Sequence, residues 1–166
     1  MTTPDISAAR QQFDAAISAA TSAEAAFLAL QDFVRRIVGA KLFTVMLVDM
    51  EAELARRAYT SDPENYPASG TKPIRYDRWF DIVHKARQPF VANSIADIST
   101  VFADYELIDS LGCQSVVNLP VVLGGELIGT VNMLDVADHY TPERVELIVR
   151  EVSIPAKLAL AVAARA

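Results

Sequence analysis

The stretch VVNLPVVLGGELIGTVNML, residues 116–134, decides the fold because two apolar segments are joined by adjacent glycines. Apolar and β-branched residues favour strands, and the pair Gly124 and Gly125 is typical of a two-residue hairpin turn. We therefore predict an antiparallel hairpin. Each strand also carries one asparagine, Asn118 or Asn132, in an otherwise apolar sequence. A buried amide without a partner is unfavourable by about 1–3 kcal/mol, so both asparagines require hydrogen bonds.

The length of the turn predicts a register for this hairpin. If Gly124 and Gly125 form the whole turn, Asn132 would lie opposite Val117, and Asn118 would lie opposite Val131. Directly opposed residues share a face of the sheet and successive residues alternate, so the two asparagines are predicted on opposite faces. Asn118 would then face packed helices. Asn132 would share a more polar face with Ser115 and Thr130, where its partner is either a ligand or a covering loop.

Helical patterns flank the part of the chain that forms the sheet. Residues 1–40 are predicted to be helical, because alanine-rich sequence leads into a capping-box spacing and an apolar helical face. Thr141 followed by Pro142 is a strong helix start and predicts a C-terminal helix over residues 141–165. Pro155 lies inside this segment and is expected to kink or break the helix.

The remaining elements complete an α+β arrangement. Residues 42–50 and 53–60 are predicted as antiparallel strands, because the link between them is too short for a helical crossover. Residues 61–73 hold three prolines and a glycine and form the longest predicted loop. Short helices and one strand are predicted over residues 76–112. We expect a single domain over residues 1–166: an antiparallel sheet with terminal helices on one face and a loop- and helix-covered pocket on the other.

Charge and cysteine content argue against several classes of function. The formal net charge is −6 and the basic residues are scattered, so neither nucleic acid nor an anionic membrane is expected as a partner. No basic segment followed by an apolar one begins the chain, so no signal peptide is predicted. No apolar run approaches the roughly 20 residues of a membrane span. Cys113 is the single cysteine, which agrees with a reducing compartment. A cytoplasmic location is therefore expected.

No arrangement of reactive side chains predicts catalysis or metal binding. His84 and His139 are far apart in the sequence and Cys113 lies in another segment, so no metal-ligand spacing exists. The sequence GGELIGT, residues 124–130, lacks the lysine of a phosphate-binding loop and precedes a strand instead of a helix. There is no G-x-S-x-G motif, and no acid–base pair can be assigned. We predict no catalytic residue and no metal, with Cys113 as a small buried side chain.

Aromatic residues concentrate in the middle of the chain, where they could form either core or the wall of a pocket. Tyrosine and tryptophan combine apolar contact area with a polar tip, which suits a small-molecule site. For each single residue, core packing stays the alternative. Together with the more polar hairpin face they give the candidate ligand-binding residues: Tyr59, Tyr66, Trp79, Phe102, Tyr105, Ser115, Val117, Thr130 and Asn132.

The hairpin resembles the late hairpin of GAF domains. The shared pattern is a serine, an apolar strand with proline near its end, a glycine-containing turn, and an Ile-Gly pair that opens the second strand. In this chain the pattern is carried by Ser115, Pro120, Gly125, Ile128 and Gly129. Looser similarity extends from about residue 23 to residue 163 through the order of elements, the ADI segment and the helix start YTPERVELI. The resemblance implies the sheet, helices and ligand cavity of that family.

The resemblance also implies a function. GAF domains sense small molecules, so the chain is expected to be a regulatory, ligand-binding GAF domain without catalysis. Such domains often dimerise through their terminal helices, and the alanine-rich ends would permit close packing in a homodimer. Its signal would pass through this dimer or a separate output protein. A degenerate GAF fold that serves only for dimerisation is one alternative.

Motifs of the known GAF subfamilies bear on the ligand. The N-K-x-F-D-E signature of cyclic-nucleotide binders is absent. Bilin binders attach the chromophore to a cysteine often followed by histidine, whereas Gln114 follows Cys113. Free methionine sulfoxide reductases, the enzymatic alternative, resemble this hairpin but use several cysteines and pocket carboxylates; those carboxylate positions fall on Val116, Asn132 and Leu134. No signature of haem, bilin or metal is present, and the ligand stays unidentified.

Overall fold

The computed structural model describes residues 4–166, so residues 1–3 of the predicted helical segment lie outside the described residues. The helices are α1 (Ile6–Ala19), α2 (Ala23–Ile37), α3 (Arg78–Phe80), α4 (Ile95–Ser99), α5 (Tyr105–Ser110) and α6 (Pro142–Arg165), and α3 continues as a π-helical turn, Asp81–Lys85. The strands are β1 (Leu42–Asp49), β2 (Leu54–Thr60), β3 (Lys72–Pro73), β4 (Phe90–Ala92), β5 (Ser115–Leu123) and β6 (Glu126–Asp135).

The six strands form an antiparallel sheet in the order β3-β2-β1-β6-β5-β4. The predicted hairpin is β5–β6, and β6 lies at the middle of the sheet between β5 and β1. The predicted pair β1–β2 is also present. The α+β fold predicted from the sequence is confirmed.

The helices α1, α2 and α6 cover one face of the sheet. Their apolar sides pack on the inward residues of β1, β5 and β6, including Phe43, Val117 and Met133, in the larger of two hydrophobic clusters. Each helix begins at a side chain that caps a free backbone N–H, as Thr141 does for α6 by accepting from the amide of Arg144. The α6 helix runs through Pro155 without a break, so a broken helix was a wrong prediction. Burial of Val152 and Ala156 on either side holds this turn against the core.

A second, smaller layer covers the other face. It consists of α3 with its π-helical turn, α4, α5 and the loop between β2 and β3, with a hydrophobic cluster that contains Val83, Ile98 and Ile108. These elements are short. A cavity remains between them and the sheet.

A β-bulge changes the register of the β5–β6 hairpin. Close to the glycine turn the pairing is the predicted one, but it shifts by one residue where Ile128 has no partner. Beyond the bulge, Asn118 lies directly opposite Asn132. The prediction that the two asparagines point to opposite faces was wrong, because a bulge adds one residue to one strand and reverses the alternation beyond it. Val117, predicted to share the face of Asn132, lies in the helix-side core instead.

Gly129 allows β6 to pass close to β1 just beyond this bulge. A Cβ atom on Gly129 would lie 2.3 Å from the carbonyl oxygen of Met46 and 3.3 Å from a methyl group of Leu160 in α6. The nearer atom belongs to the backbone and has no rotamer by which to move away. The contact between the central strands therefore requires glycine at this position.

We predict that Gly129→Ala destabilises the protein, because the new methyl group must push β1 and β6 apart. The free energy of unfolding, measured by urea denaturation, should fall by about 1–3 kcal/mol or more. Gly70→Ala is the matched control, since nothing lies within 4 Å of a Cβ atom at Gly70. Its effect should stay within about 0.5 kcal/mol of zero or be slightly stabilising. Equal stability of the two variants would contradict the role of Gly129.

Candidate functional site

A cavity of about 350 Å³ lies between the sheet and the smaller layer. Its floor consists of the alternate residues of β1, β5 and β6 that face away from the helices. The lining is mainly apolar and is contributed by both the sheet and the smaller layer. The floor contributes Thr44, Met46, Val48, Val116, Asn118, Leu127, Asn132 and Leu134; the covering layer contributes Tyr66, Trp79, Phe80, His84, Val101, Phe102 and Ile108.

Four polar side chains form a hydrogen-bond chain across this floor. The indole nitrogen of Trp79 donates to Asn118 Oδ1 at 2.9 Å, and Asn118 Nδ2 donates to Asn132 Oδ1 at 2.7 Å. Asn132 Nδ2 then donates to the hydroxyl oxygen of Thr44 at 3.1 Å. Asn118, Asn132 and Thr44 are buried, so the chain supplies the partners that buried amides require. The bulge makes this possible by placing both asparagines on the cavity face.

A second polar cluster joins the loop that follows β2 to the segment before α5. The Tyr66 hydroxyl donates to Asp104 Oδ2 at 2.8 Å, and the Arg57 guanidinium lies 3.7 Å above the centre of the Tyr66 ring. Arg57 also donates to the carbonyl oxygen of Pro67 and lies 3.8 Å from Asp104. Burial, followed by the negative charge of Asp104, raises the pKa of Tyr66, which therefore stays a neutral donor. The cluster fixes one wall of the cavity.

The structure brings four of the nine candidate residues to the cavity: Tyr66, Trp79, Phe102 and Asn132. Tyr59 lies on the helix side of the sheet, where its hydroxyl donates to Gln31 of α2 at 2.5 Å. Ser115 donates to the carbonyl oxygens of Asp135 and Val136. These residues and Val117 do not line the cavity, because alternation turns them away from it.

Two further candidates lie near the cavity without reaching it. Tyr105 packs against the smaller hydrophobic cluster at the start of α5. Thr130 is fully buried between Met46 and Pro120 on the neighbouring strands, and its hydroxyl oxygen has no hydrogen-bond partner within residues 4–166. Packing against neighbouring residues accounts for the full burial of Thr130 and the partial burial of Tyr105.

Sequence reasoning missed several residues of the site. Asn118 was placed on the wrong face by the register, although its own polarity was the signal that singled it out. Thr44 stands in an apolar strand and could have been found by the same reasoning. Arg57 and Asp104 join through a contact between distant segments, for which the sequence contains no local signal.

Cys113 and His84 differ in their access to the cavity. Cys113 is buried and does not line the cavity. Burial, followed by the charge of Asp135, raises the pKa of its thiol to about 11, so little thiolate exists near neutral pH. His84 does line the cavity and stacks on Phe80, with ring centres 4.5 Å apart. Partial burial, followed by the charge of Arg87, lowers the pKa of His84 and favours the neutral ring.

The described part of the chain, residues 4–166, contains no group of three histidine, cysteine, aspartate or glutamate residues placed to hold a metal ion. A second cavity of about 390 Å³ lies beside the hairpin turn, between the end of β1 and Arg87. Its lining is mostly polar, and Arg87 closes one side by donating to the carbonyl oxygen of Gly125 at 2.7 Å.

The sequence matches a family model for the GAF domain over residues 19–154. The chain belongs to the GAF domain family. The matched span contains every strand of the sheet and the first half of α6, and the resemblance predicted from the hairpin is confirmed. No curated protein matches the sequence. GAF domains are sensory or regulatory modules, which fits a sensing role for this chain.

Solved structures share the GAF fold at low sequence identity. The GAF domain of a two-component sensor histidine kinase from Bacillus halodurans is 12% identical with a TM-score of 0.68, covering 86% of this chain and 95% of that one. The GAF domain of a phosphoenolpyruvate-protein phosphotransferase from Acinetobacter is 10% identical with a TM-score of 0.69, covering 98% of each. Free methionine-R-sulfoxide reductase from Neisseria meningitidis, in complex with its substrate, is 13% identical with a TM-score of 0.62, covering 99% and 95%.

Within residues 4–166, none of the helices combines the length and the apolar character needed to cross a membrane. The longest, α6, carries charged side chains along its length, including Glu146, Arg150 and Lys157.

We predict that the two asparagines of this GAF domain are energetically coupled. Either Asn118→Ala or Asn132→Ala leaves the other amide with a lost partner, so each should lower the free energy of unfolding by about 1–3 kcal/mol. In the double variant, the decrease in the free energy of unfolding should be smaller than the sum of the two single decreases by about 0.5–3 kcal/mol. Urea denaturation of the wild type, both single variants and the double variant measures this difference.

The control for this cycle pairs Asn118→Ala with Asn65→Ala. Asn65 is exposed and bonds only locally, to Asp62. The effects of these two changes should add within about 0.5 kcal/mol, as expected of distant, independent sites. Additivity in the asparagine pair as well would show that the amide contact does not stabilise the fold.

Proposed function

We propose that this GAF domain binds a small molecule in the cavity between the sheet and the smaller layer, and that it acts as a sensor without catalysis of its own. The observation that carries the proposal is the floor of the cavity, where a buried polar chain crosses an otherwise apolar surface. A space with mainly apolar walls and a few placed polar groups is typical of a ligand site. A core built only for stability would more simply be filled with apolar side chains.

The size of the cavity supports the same function. Small-molecule pockets commonly enclose roughly 300–1,000 Å³, and the cavity of about 350 Å³ lies at the lower end of that range. A compact metabolite therefore fits better than a large cofactor. The cavity favours ligand binding over the alternative of a module that serves only for dimerisation, because dimerisation does not require an open interior.

The lining residues support binding without catalysis. Val116, Asn132 and Leu134 all line the cavity, and these are the positions at which the resemblance to methionine sulfoxide reductases implied carboxylates. None of the three has an acidic side chain. The one thiol of the chain is buried elsewhere with a raised pKa. A cytoplasmic location stays a prediction from the sequence.

We predict that native mass spectrometry of the purified protein detects a bound small molecule, either retained or added from a metabolite panel. Trp79 is the single tryptophan and lines the cavity, so ligand binding should also change its fluorescence. Val101→Phe narrows the cavity and should weaken binding roughly tenfold or more by overpacking, and Val101 does not line the second cavity.

Val136→Phe is the matched control, because Val136 is exposed and lies outside the cavity lining. This variant should bind as the wild type does. Absence of any bound mass, with no change in Trp79 fluorescence across the panel, would count against the proposed function. Binding by Val101→Phe that equals binding by Val136→Phe and the wild type would show that the ligand occupies another site.

We further propose that the domain forms a homodimer through its terminal helices and signals through that dimer or a separate output protein. Ile154 and Leu158 lie one turn apart on α6 and are 67% and 46% exposed. An apolar pair on a helix that packs its other side on the core is suited to a second helix. The alanine-rich C-terminal end of α6 would allow that helix to approach closely.

We predict that the protein elutes as a dimer in size-exclusion chromatography with light scattering, and that Leu158→Glu converts it to a monomer. A buried, unpaired carboxylate in an apolar helix contact is strongly unfavourable. Leu107→Glu is the matched control, since Leu107 is similarly exposed but lies on α5, away from the terminal helices. A monomeric wild type, or a dimer that survives Leu158→Glu, would rule out this interface.

A further inference from the structure

Arg57 places a positive charge on the cavity face of the sheet. It lies directly opposite Met46 of β1, which also lines the cavity. The preceding residue, Arg56, borders the cavity too, but it lies opposite Leu47, which packs against the larger hydrophobic cluster on the helix side. Because successive strand residues alternate, the Arg57 side chain starts on the cavity face and the Arg56 side chain starts on the other face.

The Arg57 side chain is held in place without being saturated with hydrogen bonds. It is 22% exposed, and its guanidinium carbon lies 3.7 Å from the centre of the Tyr66 ring. Within residues 4–166, its guanidinium donates one hydrogen bond, to the carbonyl oxygen of Pro67 at 2.8 Å. The Asp104 carboxylate lies 3.8 Å away, which is beyond hydrogen-bond length. Since a guanidinium carries several N–H donors in one plane, most of these donors are left unused by the described residues.

Cations outnumber carboxylates in the lining of the cavity. The cations are Arg56, Arg57, Lys72 and Arg75, and the carboxylates are Asp77 and Asp104. Both carboxylates already accept hydrogen bonds, Asp104 from the Tyr66 hydroxyl and Asp77 from the backbone amide of Phe80. An excess of positive charge therefore surrounds the cavity, in a chain whose formal net charge is −6.

The four cations differ in their exposure to water. Arg56, Lys72 and Arg75 are exposed, so solvent and salt screen their charges, and they attract anions only at long range. Arg57 is partly buried and its position is fixed by Tyr66 and Pro67. Charge-assisted hydrogen bonds from such a group are stronger and cost less side-chain freedom than those from a mobile surface cation. Arg57 is therefore the cation best placed to hold an anion inside the cavity.

We infer that the cavity binds a small organic oxyanion and that Arg57 is the residue that binds its carboxylate or phosphate group. The planar N–H fork of arginine matches the oxygen atoms of both groups. The apolar lining, which includes Met46 and Phe102, packs against the rest of the ligand. This inference rests on the small-molecule function proposed above and assigns a chemical class to the ligand.

Benzoate, phenylphosphonate, benzamide and benzamidine test the inference, because they share a phenyl ring and differ in the charge of the attached group. The indole N–H of Trp79, the single tryptophan, lines the cavity and reports their binding in an NMR titration. We expect at least one of the two oxyanions to bind roughly tenfold or more tightly than neutral benzamide and cationic benzamidine. The tighter oxyanion distinguishes a carboxylate site from a phosphate site. Benzamide or benzamidine binding as tightly as both oxyanions, or no shift with any probe, would overturn the inference.

Substitutions of the two arginines of β2 test the assignment of Arg57. Arg57→Gln should weaken binding of the tighter oxyanion roughly tenfold or more and abolish its advantage over benzamide. Arg57→Lys keeps the charge but loses the planar fork, so binding should fall less than in Arg57→Gln. Arg56→Gln removes the same charge from an exposed neighbour and should weaken binding by no more than about fivefold. Equal losses in Arg56→Gln and Arg57→Gln, or an unchanged preference in Arg57→Gln, would overturn the inference.

Asp104→Asn separates ligand binding by Arg57 from a purely structural role. The new amide oxygen can still accept the Tyr66 hydroxyl bond, but the negative charge that competes for Arg57 is removed. The tighter oxyanion should therefore bind roughly threefold or more tightly than in the wild type, whereas neutral benzamide should bind as before. Damage to the fold would weaken binding of every probe and could not produce this gain. Unchanged or weaker oxyanion binding in Asp104→Asn, with benzamide binding as in the wild type, would overturn the inference.

Failure of this inference and failure of the proposed function give different results. A ligand detected by native mass spectrometry that is lost in Val101→Phe but retained in Arg57→Gln would overturn the oxyanion assignment and leave small-molecule sensing in place. If no probe shifts the Trp79 resonance and no bound mass responds to Val101→Phe, both the inference and the proposed function fail.

Discussion

The pairing of Asn118 with Asn132 is the constraint on which the rest of the site depends. Two amides in an apolar sheet are tolerated only when each satisfies the other, and direct opposition on neighbouring strands brings them within 2.7 Å. The bulge at Ile128 creates that opposition. Gly129 then keeps β6 against β1, so that Thr44 can accept from the second amide. A polar chain across three strands results from one local irregularity.

The two faces of the sheet differ in packing, because only the face that carries the hydrogen-bond chain contains a cavity. On the helix side, alternate residues of the same strands form a continuous apolar core under α1, α2 and α6. On the other side, the short elements are packed in the smaller hydrophobic cluster and joined by a few polar contacts, and they leave an open interior. The Arg57, Tyr66 and Asp104 cluster is one such contact, and the bond from Trp79 to Asn118 is another. Stability and binding are thus divided between the faces of one sheet.

The fold could be predicted from the sequence because its signals are local. The glycine turn, the start of α6 at Thr141 and the apolar strands each specify their element without reference to distant residues. The bulge could not be predicted in this way, since no residue type marks it. Parity offered a clue: around an unbulged two-residue turn, directly opposed residues have numbers of opposite parity, whereas both asparagines have even numbers.

Part of the cavity lining could be predicted from the sequence, again because some of its signals are local. Residues such as Tyr66, Trp79 and Phe102 were found because aromatic side chains in a loop-rich segment must pack somewhere, and the cavity wall is made of that segment. Tyr59, Ser115 and Val117 were misplaced because the face of a strand residue depends on register and on neighbouring strands. Asp104 and Arg57 come into contact only in the folded protein, so neither residue alone could be predicted to line the cavity.

The bulge also determines the face of the sheet to which each amide points. Replacing Ile128 by another residue leaves the count of residues between the asparagines unchanged. Deleting Ile128 would remove the bulge and still leave Asn118 opposite Asn132, because Ile128 is the residue without a partner. Closing the bulge, so that Ile128 pairs with Val121, would instead place Asn132 opposite Val117 and send the two amides to opposite faces, with every side chain still present. The chemistry of the cavity is therefore encoded in the register of the hairpin as much as in its composition.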